Sequence, residues 1–282
     1  MIKFGPSGNS ENFYNAGKKT SEQSAVWVKE MGLDCFEYSF GRGVSLADER
    51  AKEIGNAFRA CGIEISVHAP YYINFANPSE DMIKNSNRYL LDSIIKGKLM
   101  GANRVVFHPA SQGKMAREEA VALTKARIKD FVKIMQDSGI SGVNIYPETM
   151  GKLGQIGTVE EIADFCTLSE VLIPTIDFGH VNARENGSLK TEEDYYKILK
   201  YMIDALGYEK MKNFHVHFSK IEYGLKGEIK HLTFDDQVYG PDFKPFISVI
   251  KDLKLEPYVI CESNGTQDVD ALALKKAYYG IK

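Results

Sequence analysis

Residues Glu64–Ala110 have the sequence EISVHAPYYINFANPSEDMIKNSNRYLLDSIIKGKLMGANRVVFHPA. Two short β-rich runs, Glu64–Pro70 and Arg104–Pro109, flank a long helical pattern at Ser79–Met100. A helix between two strands predicts a parallel βαβ unit, because a crossover is needed to bring the second strand alongside the first in the same direction. Each run also has a histidine near its carboxyl end, and this feature recurs along the chain.

The same alternation of β-rich runs and helical patterns continues through the whole sequence. Further helical patterns lie at Ser45–Cys61, Arg117–Asp137 and Glu192–Leu206, where apolar residues recur every three to four positions. The eight predicted strands are Ile2–Ser7, Cys35–Phe40, Glu64–Pro70, Arg104–Pro109, Val143–Glu148, Ile173–Phe178, Asn213–Ser219 and Tyr258–Ser263.

Eight strands that alternate with helices predict an α/β fold, a (β/α)8 TIM barrel that forms a single domain over residues 1–282. A length of 282 residues is close to the usual size of this fold. The alternative is an open, doubly wound sheet. No GxGxxG or GxxxxGKS/T motif follows the first strand, so the commonest phosphate-binding signature of that alternative is missing.

The composition, 44% hydrophobic and 26% charged, is typical of a globular protein. A net charge of −3 argues against a protein that coats nucleic acid through overall basic charge. The sequence has neither a long apolar run nor a secretory signal, so we expect no membrane partner. Four scattered cysteines without a CxxC pair suit reduced thiols, and we therefore expect a cytoplasmic location.

Polar residues stand at the carboxyl ends of the last six predicted strands. In a parallel barrel these ends converge on one rim, where such barrels place their chemistry. The candidate site residues at these ends are His68, His108, Glu148, Asp177, His180, His215, His217 and Glu262, and His231 follows on the loop after the seventh strand.

Each candidate alone has an ordinary alternative role. A single histidine at a strand end more often makes a hydrogen bond than binds a metal, and Asp177 alone could cap the following turn. Together they indicate cations, because burying several carboxylates and imidazoles without them would cost several kcal/mol. Ligands of nitrogen and oxygen without thiolate suit Zn2+, Mn2+ or Fe2+. The set predicts a cluster of divalent ions, with zinc favoured.

His215 and His217 are two positions apart, so both point to the same face of the seventh strand. His217 lies closer to the rim and is the predicted ligand. For His215 three roles stay open: a further ligand, a support from one layer below, or a hydrogen-bonded core histidine.

A series of these segments resembles the endonuclease IV family of apurinic/apyrimidinic (AP) endonucleases, within the xylose-isomerase-like barrels. The resemblance covers essentially the whole chain. DFGH is similar to the family's D-T-x-H signature, and HFSK to its H-x-N-D segment, although HFSK lacks the Asn-Asp pair. The segments are HAPYYINFANP (His68–Pro78), HPAS at His108, PET at Glu148, DFGH (Asp177–His180), HFSK (His217–Lys220), His231 and CES at Glu262.

The resemblance implies three zinc positions. The first would be held by His68 and His108, with Glu148 bridging to the second. The ligands that complete the second would be Asp177, His217 and Glu262.

The third position would be held by His180 and His231 together with an aspartate two residues before the last histidine. This chain has Ile229 there, and the nearest carboxylate is Glu228. Either Glu228 replaces the aspartate through a changed loop geometry, or the third ion is weak or absent.

The resemblance also implies side chains that insert into DNA from the loops after the second and third strands. The matching residues are Arg42, Tyr71 and Tyr72. Rim packing is the alternative for the two tyrosines, and simple solvation is the alternative for Arg42. The predicted phosphate contacts are Lys114, Lys220 and Lys226.

The resemblance implies a metal-dependent hydrolase that cleaves the phosphodiester 5′ to abasic sites in double-stranded DNA, as in base excision repair. Glu262 would orient the attacking water, and Glu148 would hold the spacing between two ions. We expect a monomer. A sugar isomerase or epimerase on the same barrel is the enzymatic alternative, and a damaged-DNA binding protein with a decayed metal site is the non-enzymatic one.

Overall fold

The computed structural model describes residues 1–41 and 43–281. Strands and helices alternate along most of the chain. In chain order they are β1 (Lys3–Pro6), α1 (Glu11–Asn15), α2 (Ser21–Glu30), β2 (Cys35–Ser39), α3 (Asp48–Cys61), β3 (Glu64–His68), α4 (Glu80–Met100), β4 (Arg104–Phe107), β5 (Ala110–Ser111), α5 (Arg117–Asp137), β6 (Asn144–Pro147), β7 (Gln155–Ile156), α6 (Val159–Cys166), β8 (Thr175–Asp177), α7 (Phe178–Arg184), α8 (Glu192–Leu206), α9 (Tyr208–Lys212), β9 (His215–Phe218), β10 (Lys220–Gly224), β11 (Gly227–Leu232), α10 (Phe243–Asp252), β12 (Tyr258–Cys261) and α11 (Gln267–Tyr279).

Eight parallel strands form the barrel, and each lies inside one of the predicted ranges. They pair in two runs, β1-β12-β9-β8 and β2-β3-β4-β6. A parallel bridge between Ser7 and Glu37 joins the first run to the second on one side. The bridge between Glu148 and Thr175 joins them on the other. The predicted (β/α)8 barrel is therefore confirmed, and the open doubly wound sheet is excluded.

The helix limits follow the local sequence closely. α5 and α8 have the predicted bounds, and α4 begins one residue after Ser79, which is its N-cap. The predicted start of α3 at Ser45 is wrong, because the helix begins at Asp48 after Ala47. Asp48 and Glu49 occupy the first turn, where negative side chains stabilise the amino end of a helix.

The interior of the barrel is divided between an apolar layer and a polar layer. Cys35, Tyr258 and Ile260 form a small buried cluster that is separate from the larger core. Buried polar side chains stand on β2 and on the neighbouring strand β3, including Glu37 and Ser66. The barrel thus carries ionisable groups into its interior, and these groups need partners there.

Two small antiparallel pairs of strands lie at the rim. β5 pairs with β7, and β10 pairs with β11 directly after barrel strand β9. The β10–β11 hairpin packs against α7, so the chain between β9 and α10 folds back over the site. Within residues 1–41 and 43–281, every helix is too short or too polar to cross a membrane.

The start of α5 is tied to the start of α6 by one carboxylate. Arg117 donates from Nε and Nη2 to the two oxygens of Glu161, at 2.8 and 2.6 Å. The backbone N–H groups of Gly157 and Thr158 donate to the same side chain, which completes a capping box at the start of α6. Burial opposes ionisation, but Arg117 and the N–H donors outweigh it and lower the pKa of Glu161.

We expect Glu161→Gln to reduce the free energy of unfolding by about 1–3 kcal/mol at pH 7, because the charge-assisted bonds are lost. A lowered pKa means that this stabilisation is present above about pH 4 and is lost as the pH falls through the folded-state value. Urea unfolding at pH 7 and at pH 3 measures both effects. Glu160→Gln, at an exposed neighbour, is the control, and equal losses in the two variants would contradict the assignment.

Candidate metal centre

Glu148 is the carboxylate around which the candidate site is built. It follows β6 and is 1% exposed, so its charge is shielded from bulk water. The Nε2 atoms of His68 and His108 lie 3.1 and 3.3 Å from its Oε2. The Nδ1 atoms of His217 and His180 lie 3.1 and 3.3 Å from its Oε1. Side chains from β3, β4, α7 and β9 therefore converge on one carboxylate.

Asp177 has two functions at once. Its Oδ1 accepts a hydrogen bond of 2.7 Å from the backbone N–H of His180, so it caps α7. Its Oδ2 is buried and has no hydrogen-bond partner among the described residues. Its nearest cationic neighbour is Nδ1 of His180 at 3.3 Å, which makes no hydrogen bond to it, and a bound cation would stabilise this buried oxygen.

Asp177 belongs to a second group of converging donors. Glu148, Asp177, His217 and Glu262 each offer one ligand atom, and these atoms lie within 4.8 Å of one another. Three carboxylates in one such group repel each other unless positive charge lies between them. The group matches the second set of ligands that the family resemblance implies.

The ionisation of the site shows the same need for positive charge. Burial raises the pKa of Asp177, and the charges of Glu262 and Glu148 raise it further against the opposing effect of His180. Burial acts to lower the pKa of His68, but Glu148 outweighs it and raises that pKa to about 9. Protons therefore supply the positive charge when no cation is bound. A divalent ion could replace them, so the donor set fits a metal centre.

Three imidazoles have one nitrogen anchored away from the ligand position. Nδ1 of His68 lies 2.8 Å from the carbonyl oxygen of Ala69, and Nδ1 of His180 lies 2.9 Å from that of Thr149. Nδ1 of His231 lies 2.9 Å from Oγ of Ser219. When Nδ1–H donates to these oxygens, the lone pair remains on Nε2, as a metal ligand requires.

A third group of donors contains His180, Glu228 and His231. Nε2 of His180 lies 3.4 Å from Oε2 of Glu228, and the rings of His180 and His231 are 5.5 Å apart. The side chain of Glu228 is only 12% exposed, whereas Ile229 is 55% exposed. Glu228, and not Ile229, is therefore the residue that lies beside His180, where the resemblance implies an aspartate.

A β-bulge explains why Glu228 and His231 share one face of β11. Ile221 pairs with His231 and Glu222 with Lys230, but the next residue, Tyr223, pairs with Glu228. Ile229 is the extra residue of this bulge. Residues three apart in a regular strand point to opposite faces, and one extra residue restores the same face.

Close backbone approach holds this hairpin against the loop after β6. The backbone N–H of Glu228 donates to the carbonyl oxygen of Gly151 at 3.1 Å. A Cβ on Gly151 would lie 2.7 Å from Cβ of Glu228 and 2.9 Å from Cδ2 of His180. Gly227 has a φ of 86°, which favours glycine. Both glycines are thus needed to bring Glu228 to His180.

The donor groups open on a cavity of about 260 Å³ at the rim. Tyr71 and Lys152 contribute to its wall. An adjoining cavity of about 490 Å³ shares Glu228, His231 and Glu262 with it. The candidate ligands on the wall of the first cavity are His68, His108, His180, Glu228, His231 and Glu262.

The residues predicted to contact DNA are placed differently from one another. Tyr71 and Tyr72 are 52% and 46% exposed, and their ring centroids are 4.4 Å apart. Nζ of Lys220 donates to the backbone carbonyls of Phe234 and Asp236, so its charge is engaged within the protein. Arg42 lies outside the described residues. The remaining two, Lys114 and Lys226, are exposed.

Glu37 is a buried carboxylate that the sequence analysis did not include. It is 0% exposed and lies inside the barrel between His215 and His217. The sequence did hold one sign of it, because Glu37 is a charged residue in the middle of the strand segment CFEYS, directly after two buried residues. His215 lies one layer below His217 on the same strand, with its Nε2 3.1 Å from Oε2 of Glu37.

Comparison with known proteins identifies the family. A model described as a xylose isomerase-like TIM barrel matches residues 25–277, and the chain belongs to this family. An uncharacterized protein from Methanocaldococcus jannaschii is 32% identical over 253 residues, which is 89% of each chain. A protein named as a probable endonuclease 4 from Staphylococcus carnosus is 28% identical over 261 residues, 86% of this chain and 85% of that one.

Solved structures agree on the fold. Endonuclease IV from Thermus thermophilus has a TM-score of 0.69 and 20% identity, with 99% of both chains covered. A D-tagatose 3-epimerase-like protein has a TM-score of 0.72 and 21% identity, with 99% of this chain and 97% of that one covered. Because a nuclease and an epimerase-like protein share the barrel, the fold does not choose between them.

We expect Glu228→Gln to lower the metal content by about one equivalent per chain, because the third group loses its only carboxylate. Elemental analysis after zinc loading and desalting measures this. Adding Ile229→Asp to Glu228→Gln is expected not to restore the lost ion, since Ile229 is 55% exposed whereas Glu228 is the residue buried beside His180. Restoration by that double variant, or full metal content in Glu228→Gln, would contradict the placement.

Proposed function

We propose that this chain is a metal-dependent endonuclease that hydrolyses the phosphodiester 5′ to abasic sites in DNA. The observation that supports this most is the third donor group, His180, Glu228 and His231, beside the groups that share Glu148. Phosphodiester hydrolysis develops charge on both the attacking and the leaving oxygen, and several cations can neutralise it. Proton transfer on a sugar needs one or two cations and a base.

The ligands in this proposal are those predicted from the sequence, with Glu228 in place of the missing aspartate. Zinc is the proposed ion, with Mn2+ and Fe2+ as alternatives, because the donors are imidazoles and carboxylates. The thiol of Cys261 lies next to Glu262 in sequence, but Sγ faces Oγ of Ser263 at 3.3 Å. The full set is His68, His108, Glu148, Asp177, His180, His217, Glu228, His231 and Glu262.

Glu262 is the proposed orienting group for the attacking water. Its side chain is 17% exposed and lies on the cavity wall, whereas those of Glu148 and Asp177 are almost fully buried. Glu262 can therefore accept a hydrogen bond from a water in the cavity. Glu148, held between four imidazoles, maintains the spacing of the two groups that share it. Bound divalent cations would polarise the phosphate and lower the pKa of the attacking water.

The wall of the cavity supports a nucleic-acid substrate. Tyr71 and Tyr72 present adjacent exposed rings beside the site, as a pair that could fill the space left by a missing base. Lys152 on the wall offers a positive charge to a flanking phosphate. The overall charge of −3 is compatible with DNA binding, because the cations place positive charge where the phosphate lies. We expect a cytoplasmic monomer.

A sugar isomerase or epimerase is the alternative function. Such an enzyme would use the Glu148, Asp177, His217 and Glu262 group and would have no use for the third group. Loss of Glu228 would then leave turnover unchanged, whereas the nuclease proposal requires a strong effect.

We expect zinc-loaded protein to nick a duplex with a single tetrahydrofuran abasic analogue on its 5′ side, and a chelator to abolish the reaction. Denaturing gel electrophoresis of end-labelled DNA measures the nick. Glu262→Gln is expected to lower the rate by at least about 100-fold, because the water loses its acceptor. Glu193→Gln, exposed on α8, is the matched control and should cleave normally.

Two results would overturn the nuclease proposal. One is the absence of any chelator-sensitive nick in fully metal-loaded protein. The other is chelator-sensitive epimerisation of a ketose together with an intact abasic duplex, which would establish the alternative.

A further inference from the structure

Glu37 lies on the barrel axis, one layer below the candidate metal centre. It is 0% exposed, and the polar side chains around it come from β3 and β9. Oγ of Ser66 donates to its Oε2 at 2.8 Å, and Nε2 of His215 lies 3.1 Å from the same oxygen. Nε2 of His217 lies 2.9 Å from Oε1. A carboxylate in this position is costly unless these groups act as its donors.

The strand register places these groups beside Glu37. β2 and β3 are parallel neighbours, and Glu37 is directly opposite Ser66. A parallel bridge joins Glu37 to Ser7 on the other side. His215 and His217 face the axis from the opposite wall of the barrel, because they are two residues apart on β9. The arrangement thus depends on two strands that are far apart in the sequence.

The ring of His217 connects Glu37 to the metal centre. Its Nδ1 lies 3.1 Å from Oε1 of Glu148 and 3.6 Å from Oε2 of Glu262, while its Nε2 faces Glu37. A neutral imidazole has one N–H and one lone pair. If Nε2–H donates to Glu37, the lone pair is on Nδ1 and points at the other candidate ligands.

His215 supports the same carboxylate from below. Its ring packs between Tyr146 and Tyr258, with centroid distances of 5.5 and 5.3 Å. The guanidinium of Arg104 lies over both tyrosine rings, at 5.1 and 4.8 Å. This packing directs Nε2 of His215 towards Oε2 of Glu37, 3.1 Å away, where a ring N–H could donate to the carboxylate.

We propose that Glu37 is a positioning residue that holds His217 as the Nε2–H tautomer, with Nδ1 directed at the metal, and that His215 is a second donor to Glu37. This inference rests on the metal centre of the proposed function. It does not depend on which substrate that centre acts on. Carboxylates that orient metal-binding imidazoles in this way strengthen binding and fix the ring.

The test measures metal affinity without reference to activity. Glu37→Gln keeps the size of the side chain but removes the charged acceptor, and we expect zinc binding about 10- to 100-fold weaker by competition with a chromophoric chelator. Glu64→Gln is the control, because Glu64 begins the neighbouring strand and is exposed. In a His217→Ala background, Glu37→Gln is expected to have no further effect, since the two residues act as one unit.

Unchanged affinity in Glu37→Gln, or an equal loss in the His217→Ala background, would overturn the proposal. If the metal-free Glu37→Gln variant does not stay folded, a second measurement on the unaltered protein still tests the proposal. Nitrogen-15 NMR of zinc-loaded protein should show the proton of His217 on Nε2 and the metal on Nδ1, and the opposite arrangement would overturn the proposal. If nicking fails while zinc affinity falls as expected, the proposed function is wrong and the role of Glu37 stands.

Discussion

The interaction on which the rest of the site depends is the burial of the Glu148 carboxylate among four imidazoles. A charge that is 1% exposed must be balanced locally, and His68, His108, His180 and His217 surround it at 3.1–3.3 Å. The barrel makes this possible, because parallel strands deliver their carboxyl ends to one rim. Glu148 also lies close to Asp177 and Glu262, and three neighbouring carboxylates favour bound cations because they otherwise repel one another.

The structure supports this centre from two directions. From below, Glu37 and His215 occupy the barrel axis, where apolar side chains would ordinarily pack, and they hold one face of His217. From above, the β10–β11 hairpin folds over α7 and brings Glu228 to His180. Neither support belongs to the rim itself, yet each decides where a ligand nitrogen or oxygen points.

Membership in the xylose isomerase-like TIM barrel family leaves the reaction open, because the barrel also holds epimerase-like proteins. The distinguishing feature is the number and type of donor groups on the rim. Under the proposed function, a third group of two imidazoles and one carboxylate would add a cation position beyond what a proton-transfer enzyme uses. The bulge at Ile229 brings Glu228 into this group, one residue before the position where the resemblance to endonuclease IV implies an aspartate.

Sequence alone determined the eight strands, the limits of α5 and α8 and the residues at the strand ends, because hydrophobic periodicity and strand parity are local properties. It also predicted that the candidate ligands lie close together, because the carboxyl ends of parallel barrel strands meet at one rim. It left open whether Glu228 could replace the aspartate, and it did not point to Glu37. Only the tertiary structure placed Glu228 beside His180 and Glu37 beside His217, because these positions depend on the bulge between β10 and β11 and on side chains that meet across the barrel from β2 and β9. Such contacts arise from the register of distant segments, which no local pattern encodes.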